Sequence, residues 1–257
     1  MIYWNADPIA VSIGPLSIHW YGIFFAAAFI VGLQIMGRMF VREGRSTDDL
    51  DSLLGFVVVG ALVGARLGHC LLYDPVYYLS SPLLILKIWE GGLASHGGVI
   101  GILVAVGVYA RRSGMRFWWL LDRIAVPAAL GGAFIRIGNF MNSEIVGVPT
   151  IVPWAVIFER VDDLARHPVQ LYEAAAYFII FIVLFLTWRE AALRRRAGLL
   201  SGLFLMLVFA ARFVLEYFKT PQAAYEAGFF MTVGQWLSVP CVLAGLWLVL
   251  RAGRGQE

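Results

Sequence analysis

The sequence predicts an all-α integral membrane protein of about seven spanning helices, with its N-terminus outside and its C-terminus in the cytoplasm. Three observations predict it. Of 257 residues, 60% are hydrophobic and 14% charged, against roughly 45–50% and 25% in soluble domains. The apolar residues fall into runs close to the ~20 residues that cross a bilayer. Arginine is concentrated in alternate connections between those runs, as it is on the cytoplasmic side of membranes. The net charge of +3 therefore marks orientation, and no nucleic-acid partner is expected.

Taken in order, the runs place spans at about 17–38, 52–73, 95–111, 119–140, 170–189, 199–218 and 233–251. The first 15 residues carry no basic residue and no continuous apolar run, so they do not read as a cleavable signal peptide. Arg38, Arg42 and Arg45 follow the first span, and Arg111, Arg112 and Arg116 the third. Arg189, Arg194, Arg195 and Arg196 follow the fifth, and Arg251 and Arg254 the last. The other connections hold only Lys87, Arg160, Arg166 and Lys219. Seven spans put every basic-rich connection on one side; six or eight would not.

Two connections on the opposite, extracytoplasmic side are substantial. Residues 74–92 are expected to lie along the interface, and residues 143–168, mixed polar with Pro149, Pro153, Asp162 and Asp163, to form a small cap on a single polytopic domain over 1–257. Gly60, Gly64 and Gly68 form small-xxx-small steps that let helices approach closely. Cys70 and Cys241 sit in apolar runs and read as buried thiols. Nothing calls for a metal or a cofactor.

The functional signal is polar. Arg66, Arg136 and Arg212 fall inside spans, where each unpaired arginine would cost roughly 2.5–3.5 kcal/mol. They must be paired, hydrated or bound to an anion. The alternating direction of the spans places all three in the outer half of the membrane. His96, Gly97 and Gly98 open the third span at that level, and Tyr21 opens the first. Asn139, Asn142 and Glu144 follow Arg136; Glu216 lies one turn beyond Arg212, with which it could simply pair. Gln170 and Glu173 open the fifth span from outside. Elements distant in sequence thus meet in one layer.

Arginines at headgroup depth suit a phosphate, which a guanidinium holds through two oxygens at once. Neighbouring asparagines can take hydroxyls, and the apolar surround can take acyl chains. No metal cluster and no Ser/His/Asp set is apparent, so direct transfer with a phosphate leaving group stabilised by cations is the chemistry that remains. A transporter or flippase for an anionic lipid or metabolite is the alternative; it would need a polar path across the whole membrane. The cytoplasmic half offers little beyond Asp122 and Arg123.

Several motifs, in order, resemble those of phosphatidylglycerol–prolipoprotein diacylglyceryl transferases. They are Ile18-His19-Trp20-Tyr21-Gly22, Gly91-Gly92-Leu93-Ala94-Ser95-His96-Gly97-Gly98, and the long signature from Arg136 through Asn139, Asn142 and Glu144 to Gly147. Arg166-His167-Pro168-Val169-Gln170-Leu171-Tyr172-Glu173 and Arg212-Phe213-Val214-Leu215-Glu216 complete the set. The resemblance implies an enzyme of the bacterial inner membrane whose active site faces the extracytoplasmic side. It would transfer the diacylglyceryl group of phosphatidylglycerol to the lipobox cysteine in a prolipoprotein signal peptide, releasing glycerol-1-phosphate. It implies Arg136 on the phosphate with Arg212 in support, and Asn139, Asn142 and Glu144 organising the headgroup pocket with Gly147 at its rim. Tyr21, Gly97, Gly98, Gln170, Glu173 and Glu216 complete the substrate site. His96 is the candidate base, histidine being the side chain that changes charge near neutral pH. The chain departs from the family pattern at Ile135, where glycine is usual, at Val208, where tyrosine is frequent, and at Lys219, where arginine is common.

Overall fold

The computed structural model describes residues 2–14, 16–88, 91–220 and 231–254. Its long helices are α1 (Trp20–Arg42), α2 (Asp48–Leu72), α4 (Ser95–Ser113), α5 (Phe117–Met141), α6 (Val169–Arg189), α8 (Leu199–Leu215) and α9 (Val233–Arg254). Short helices α3 (Pro75–Ser80) and α7 (Ala191–Arg194) lie between them, with 3-10 turns at Pro82–Leu86 and Glu216–Phe218. Among the described residues, six helices are long and apolar enough to cross a membrane: α1, α2, α5, α6, α8 with its 3-10 extension, and α9. The protein is thus a multi-pass, largely helical membrane protein. A helix, α4, covers the expected third span, but it is not among those six: its glycines, His96 and the terminal Arg111-Arg112 pair leave it less apolar than the rest.

Two small sheets accompany the helices. Strands β2 (Ile9–Ile13) and β3 (Leu16–His19) form an antiparallel hairpin that leads directly into α1. Strand β1 (Ile2–Trp4) pairs in parallel with β4 (Val156–Phe158), which pairs antiparallel with β5 (Ala165–Arg166). The segment 143–168 is therefore folded around an N-terminal strand, with Phe140, Val156 and Phe158 forming a core against Trp4 and Val146.

Contacts gather the chain into two compact units, Met36–Leu121 and Met1–Ile35 with Asp122–Glu257. In the first, α2 and α4 pack backbone to backbone. A Cβ added to Gly64 would stand 2.3 Å from the Gly97 carbonyl oxygen, and one added to Gly101 would stand 2.0 Å from that of Gly60. Neither carbonyl can yield without parting the helices. Gly64→Ala is therefore expected to destabilise this unit by about 1–3 kcal/mol despite alanine's better helix propensity. Gly55, with nothing within 4 Å of an added Cβ, tolerates the same change. Thermal melts of the two variants in detergent check this; equal melting temperatures would contradict it.

Arg66 is buried in the same unit and needs no anion. Its guanidinium donates to the carbonyls of Ile85 at 2.9 Å, Leu84 at 2.6 Å and Gly91 at 2.5 Å, and lies over the Tyr78 ring. The sequence treats it like Arg136 and Arg212, but its charge is spent on fixing the segment after α2. Gly92, at φ +71°, is pressed against His69 and Arg66, leaving no room for a Cβ.

In the second unit, α8 and α9 cross at Gly202 and Gly245, where an added Cβ on Gly245 would be 2.5 Å from the Met206 nitrogen. Asp122, fully buried on α5, accepts hydrogen bonds from the backbone N–H of Gly198 and Ser201 at 2.8 Å each, and from the Ser201 hydroxyl at 2.7 Å. Those N–H groups belong to the first turn of α8, which has no helical partner for them. Asp122 is thus a tertiary cap. This is one end of the unit; the C-terminal ends of α5 and α8 and the start of α6 lie at the other.

Candidate active site

A chain of charges occupies that other end. Glu173, in the first turns of α6, is 0% exposed, and a buried carboxylate requires cations. Two reach it: Arg136 Nε from α5 and Lys219 Nζ from beyond α8, each at 2.9 Å. Lys219 also pairs with Glu216 at 3.1 Å. Arg136 donates from Nη1 to Asn139 Oδ1 at 3.2 Å, and Asn139 Nδ2 donates to Glu144 Oε2 at 3.1 Å. Asn142 Nδ2 donates to the other Glu144 oxygen at 3.1 Å. Fully buried Gln170 holds the same turn through its Nε2 donation to the Glu144 carbonyl at 2.6 Å. The turn is tight: Ser143 and Ile145 both have positive φ, 56° and 54°, a conformation costly for side chains with a Cβ.

Arg212 stands apart. Among the described residues it makes no hydrogen bond or ion pair, and its Nε is buried without a partner. Glu216, one turn on, has turned to Lys219 instead; its carboxylate lies where a Cβ on Gly234 would be, 2.5 Å away. The i,i+4 pair that spacing allows is not made. Three cations (Arg136, Arg212, Lys219) thus face three carboxylates (Glu144, Glu173, Glu216), but one guanidinium remains uncommitted. A dianionic or monoanionic group is the natural partner for it.

Other expected site residues are distributed as follows. Tyr21 lies against the signature, its Cδ2 3.0 Å from a Cβ built on Gly138; the glycine is what lets α1 approach. Gly147 is a backbone junction rather than an open rim. Its N–H donates to the His167 carbonyl at 3.2 Å, and its carbonyl accepts from Arg166 Nη1 and Thr220 Oγ1, both at 3.0 Å. A Cβ there would meet the His167 carbonyl at 2.4 Å. His96 is exposed at the first turn of α4, in the other unit. Gly97 packs on α2, a Cβ there meeting the Gly64 carbonyl at 2.2 Å, and Gly98 is in ordinary contact with Ala61 and Ala65. His167 joins Tyr172 at 3.1 Å, and Trp154 donates to that same hydroxyl at 2.7 Å.

One member of the network was not expected from sequence. Lys219 reads as a connection residue until Glu173 and Glu216 are seen around it.

Arg166 anchors the folded segment, pairing with Asp162 through Nε at 3.0 Å and through Nη2. The Arg166 hydrogen bonds hold the Asp162 carboxyl below its ordinary range. A carboxyl depressed in the folded state contributes stability above its unfolded value and loses it as pH falls through the folded one. The segment is thus expected to loosen in acid, below about pH 4. Trp154 fluorescence during acid titration reads this, and Asp162→Asn removes the transition; a transition identical in that variant would contradict the assignment.

The sequence also matches a known family. A family model described as prolipoprotein diacylglyceryl transferase matches residues 8–251. The chain is 58% identical over 255 residues to the phosphatidylglycerol–prolipoprotein diacylglyceryl transferase of Tolumonas auensis, covering 99% of this chain and 98% of the relative. It is 50% identical over 252 residues to the protein of the same name from Chloroherpeton thalassium, covering 98% and 94%. With that from Porphyromonas gingivalis it shares 43% over 267 residues, again covering 98% and 94%.

Proposed function

Because the chain belongs to the prolipoprotein diacylglyceryl transferase family, we propose that it joins the diacylglyceryl group of phosphatidylglycerol to a prolipoprotein thiol. The acceptor is the lipobox cysteine of the signal peptide. Its sulfur attacks the glyceryl carbon that bears the phosphate ester, the carbon–oxygen bond breaks, and glycerol-1-phosphate leaves with the electron pair. A thioether remains. The thiol proton goes to a base, and the departing phosphate carries one more negative charge than the diester did.

The observation that carries this reading is the uncommitted Arg212 guanidinium on α8, the helix packed against the α6 that carries Glu173, the partner of Arg136. A phosphate ester held by these two cations is a better leaving group, because charge that grows on the bridging oxygen meets fixed donors. Arg136 is already oriented by Glu173 and Asn139 and spends nothing on ordering when lipid arrives. Asn139, Asn142 and Glu144 organise the turn beside it, and Gln170 and Glu216 hold that turn and Lys219 in place. Tyr21 closes the site from α1. Gly97 and Gly98 act by bringing α4 onto α2, and Gly147 by joining the cap to the end of α8.

The same reading makes residues 1–257 one polytopic domain of the bacterial inner membrane with seven spans, α4 being the third. The arginine-rich connections support a cytoplasmic C-terminus and an extracytoplasmic position for the Arg136–Glu173 network. Residues 143–168 are then its cap. His96 is assigned the thiol proton on chemical grounds. His96→Gln should flatten the acid limb of the rate–pH profile and slow turnover by about 10²–10⁴-fold; an unchanged profile removes it from that role.

The test is mass spectrometry of a lipobox-containing peptide incubated with purified protein and phosphatidylglycerol. A gain of one diacylglyceryl unit on the cysteine, with glycerol-1-phosphate released and a cysteine-less peptide unmodified, is the expected result. No modified peptide from folded protein would overturn the reading.

A further inference from the structure

The close contact of α2 with α4 leaves an apolar groove along one side of the pair. Val59, Val63 and Leu67 of α2 and Ile100, Val104 and Val108 of α4 line it together with the glycines of the crossing, and all six side chains are exposed. Its volume is about 870 Å³, within the roughly 300–1,000 Å³ of ligand-binding clefts. Apart from Ser52 at one end, every residue that lines it is glycine or apolar. On α2 the lining runs from Ser52 to Leu72. That is about 30 Å of helix, as long as the hydrocarbon core of a bilayer is thick.

The two ends of the groove differ. Asp48, Asp49 and Asp51, all exposed, occupy the first turn of α2 just before Ser52. At the same end α4 closes with Arg111 and Arg112, and Arg112 lies over the Phe56 ring at 5.6 Å, so the acidic side of that mouth is the α2 side. At the other end the lining stops at Leu72 and Gly97, and the residue before Gly97 is His96, to which the thiol proton is assigned. A lipid of one leaflet reaches only the bilayer midplane, about half the length of the groove. A secretory signal peptide matches the whole of it: a basic n-region, then about 7–15 apolar residues, then the segment that is processed. As a helix that apolar stretch is about 10–22 Å long, which leaves a few residues at each end to reach the acids and His96. The alternative is that bulk lipid fills the groove and the aspartates only complement the α2 dipole.

The geometry points to the α2–α4 groove as the docking surface for the prolipoprotein signal peptide. The basic n-region lies at Asp48, Asp49 and Asp51, the apolar helix along the groove, and the cysteine at the His96 end. This rests on the transferase reading above and on the orientation proposed with it. It gives α2 and α4 the recognition of the acceptor.

The experiment uses the full-length protein in phosphatidylglycerol-containing nanodiscs and a synthetic signal peptide with lysines in its n-region and the lipobox cysteine. Gly55 lines the groove with nothing within 4 Å of an added Cβ, so Gly55→Leu obstructs it without a clash and with better helix propensity. Gly55→Leu should raise KM for the peptide about ten-fold. KM for phosphatidylglycerol should stay unchanged, and the melting temperature should hold or rise. In the wild type, replacing the peptide's lysines by glutamines should raise its KM about two- to five-fold. That gap should narrow in the triple variant Asp48→Asn, Asp49→Asn, Asp51→Asn. An unchanged peptide KM in Gly55→Leu, a rise in KM for phosphatidylglycerol in its place, or a lysine–glutamine gap of unchanged width in the triple variant would each overturn the proposal. Absence of transfer in the wild type would instead overturn the transferase reading itself.

Discussion

Arg212→Ala is expected to remove most of the turnover while leaving the fold intact. Arg212 makes no hydrogen bond or ion pair among the described residues, so its loss breaks nothing there and removes an unpaired cation from an apolar helix. Charge stabilisation of a leaving phosphate, by contrast, is a transition-state interaction, and removing one such donor costs on the order of 10²–10³ in rate. The melting temperature should hold or rise slightly while kcat falls by that factor. Arg212→Lys should recover only part, because an ammonium keeps the charge and loses the fork that grips two oxygens. A folded Arg212→Ala protein with wild-type turnover would remove Arg212 from the chemistry.

Glu173→Ala should do the opposite and act first on stability. Its carboxylate is 0% exposed and neutralises Arg136 and Lys219 together. Without it, two cations remain buried with Asn139 and Glu216 to share between them. Breaking a buried pair by removing one partner costs about 3–5 kcal/mol, a large part of a typical domain's net stability. The expected result is a steep fall in melting temperature or loss of folded protein. Glu173→Gln, which keeps the volume, should fall nearly as far. Combining it with Lys219→Met should restore part of the loss, since one orphaned cation then disappears. A Glu173→Gln variant as stable as the wild type would show that the network is better hydrated than its burial indicates.

The contrast between these residues explains what was legible in the sequence. The helices were, because lipid imposes a length and a composition that no tertiary contact overrides; the predicted spans at 119–140 and 170–189 correspond to Phe117–Met141 and Val169–Arg189. The signature from Arg136 to Glu144 was legible too, being local and gathered at one helix end. Partnerships were not. Arg66, Arg136 and Arg212 look alike as arginines in apolar runs, yet one is absorbed by backbone carbonyls, one is shared between two side chains and one is uncommitted. Spacing suggested Arg212 with Glu216, and the fold gave Glu216 to Lys219 because the 3-10 turn after α8 brings the lysine back. Gly97 resembled a ligand-facing glycine; its true neighbour is the Gly64 carbonyl on α2. The sheet was invisible for a different reason. Strands of two to five residues have little periodicity, and β1 finds β4 across most of the chain.

The most direct measurement of the central claim, that Arg136 and Arg212 together hold the phosphate, is a structure of the protein with phosphatidylglycerol bound. The account predicts phosphate oxygens within about 2.7–3.2 Å of both guanidiniums, with the Arg136–Glu173 pair still in place. A phosphate bound elsewhere, with Arg212 turned to a protein carboxylate, would contradict it.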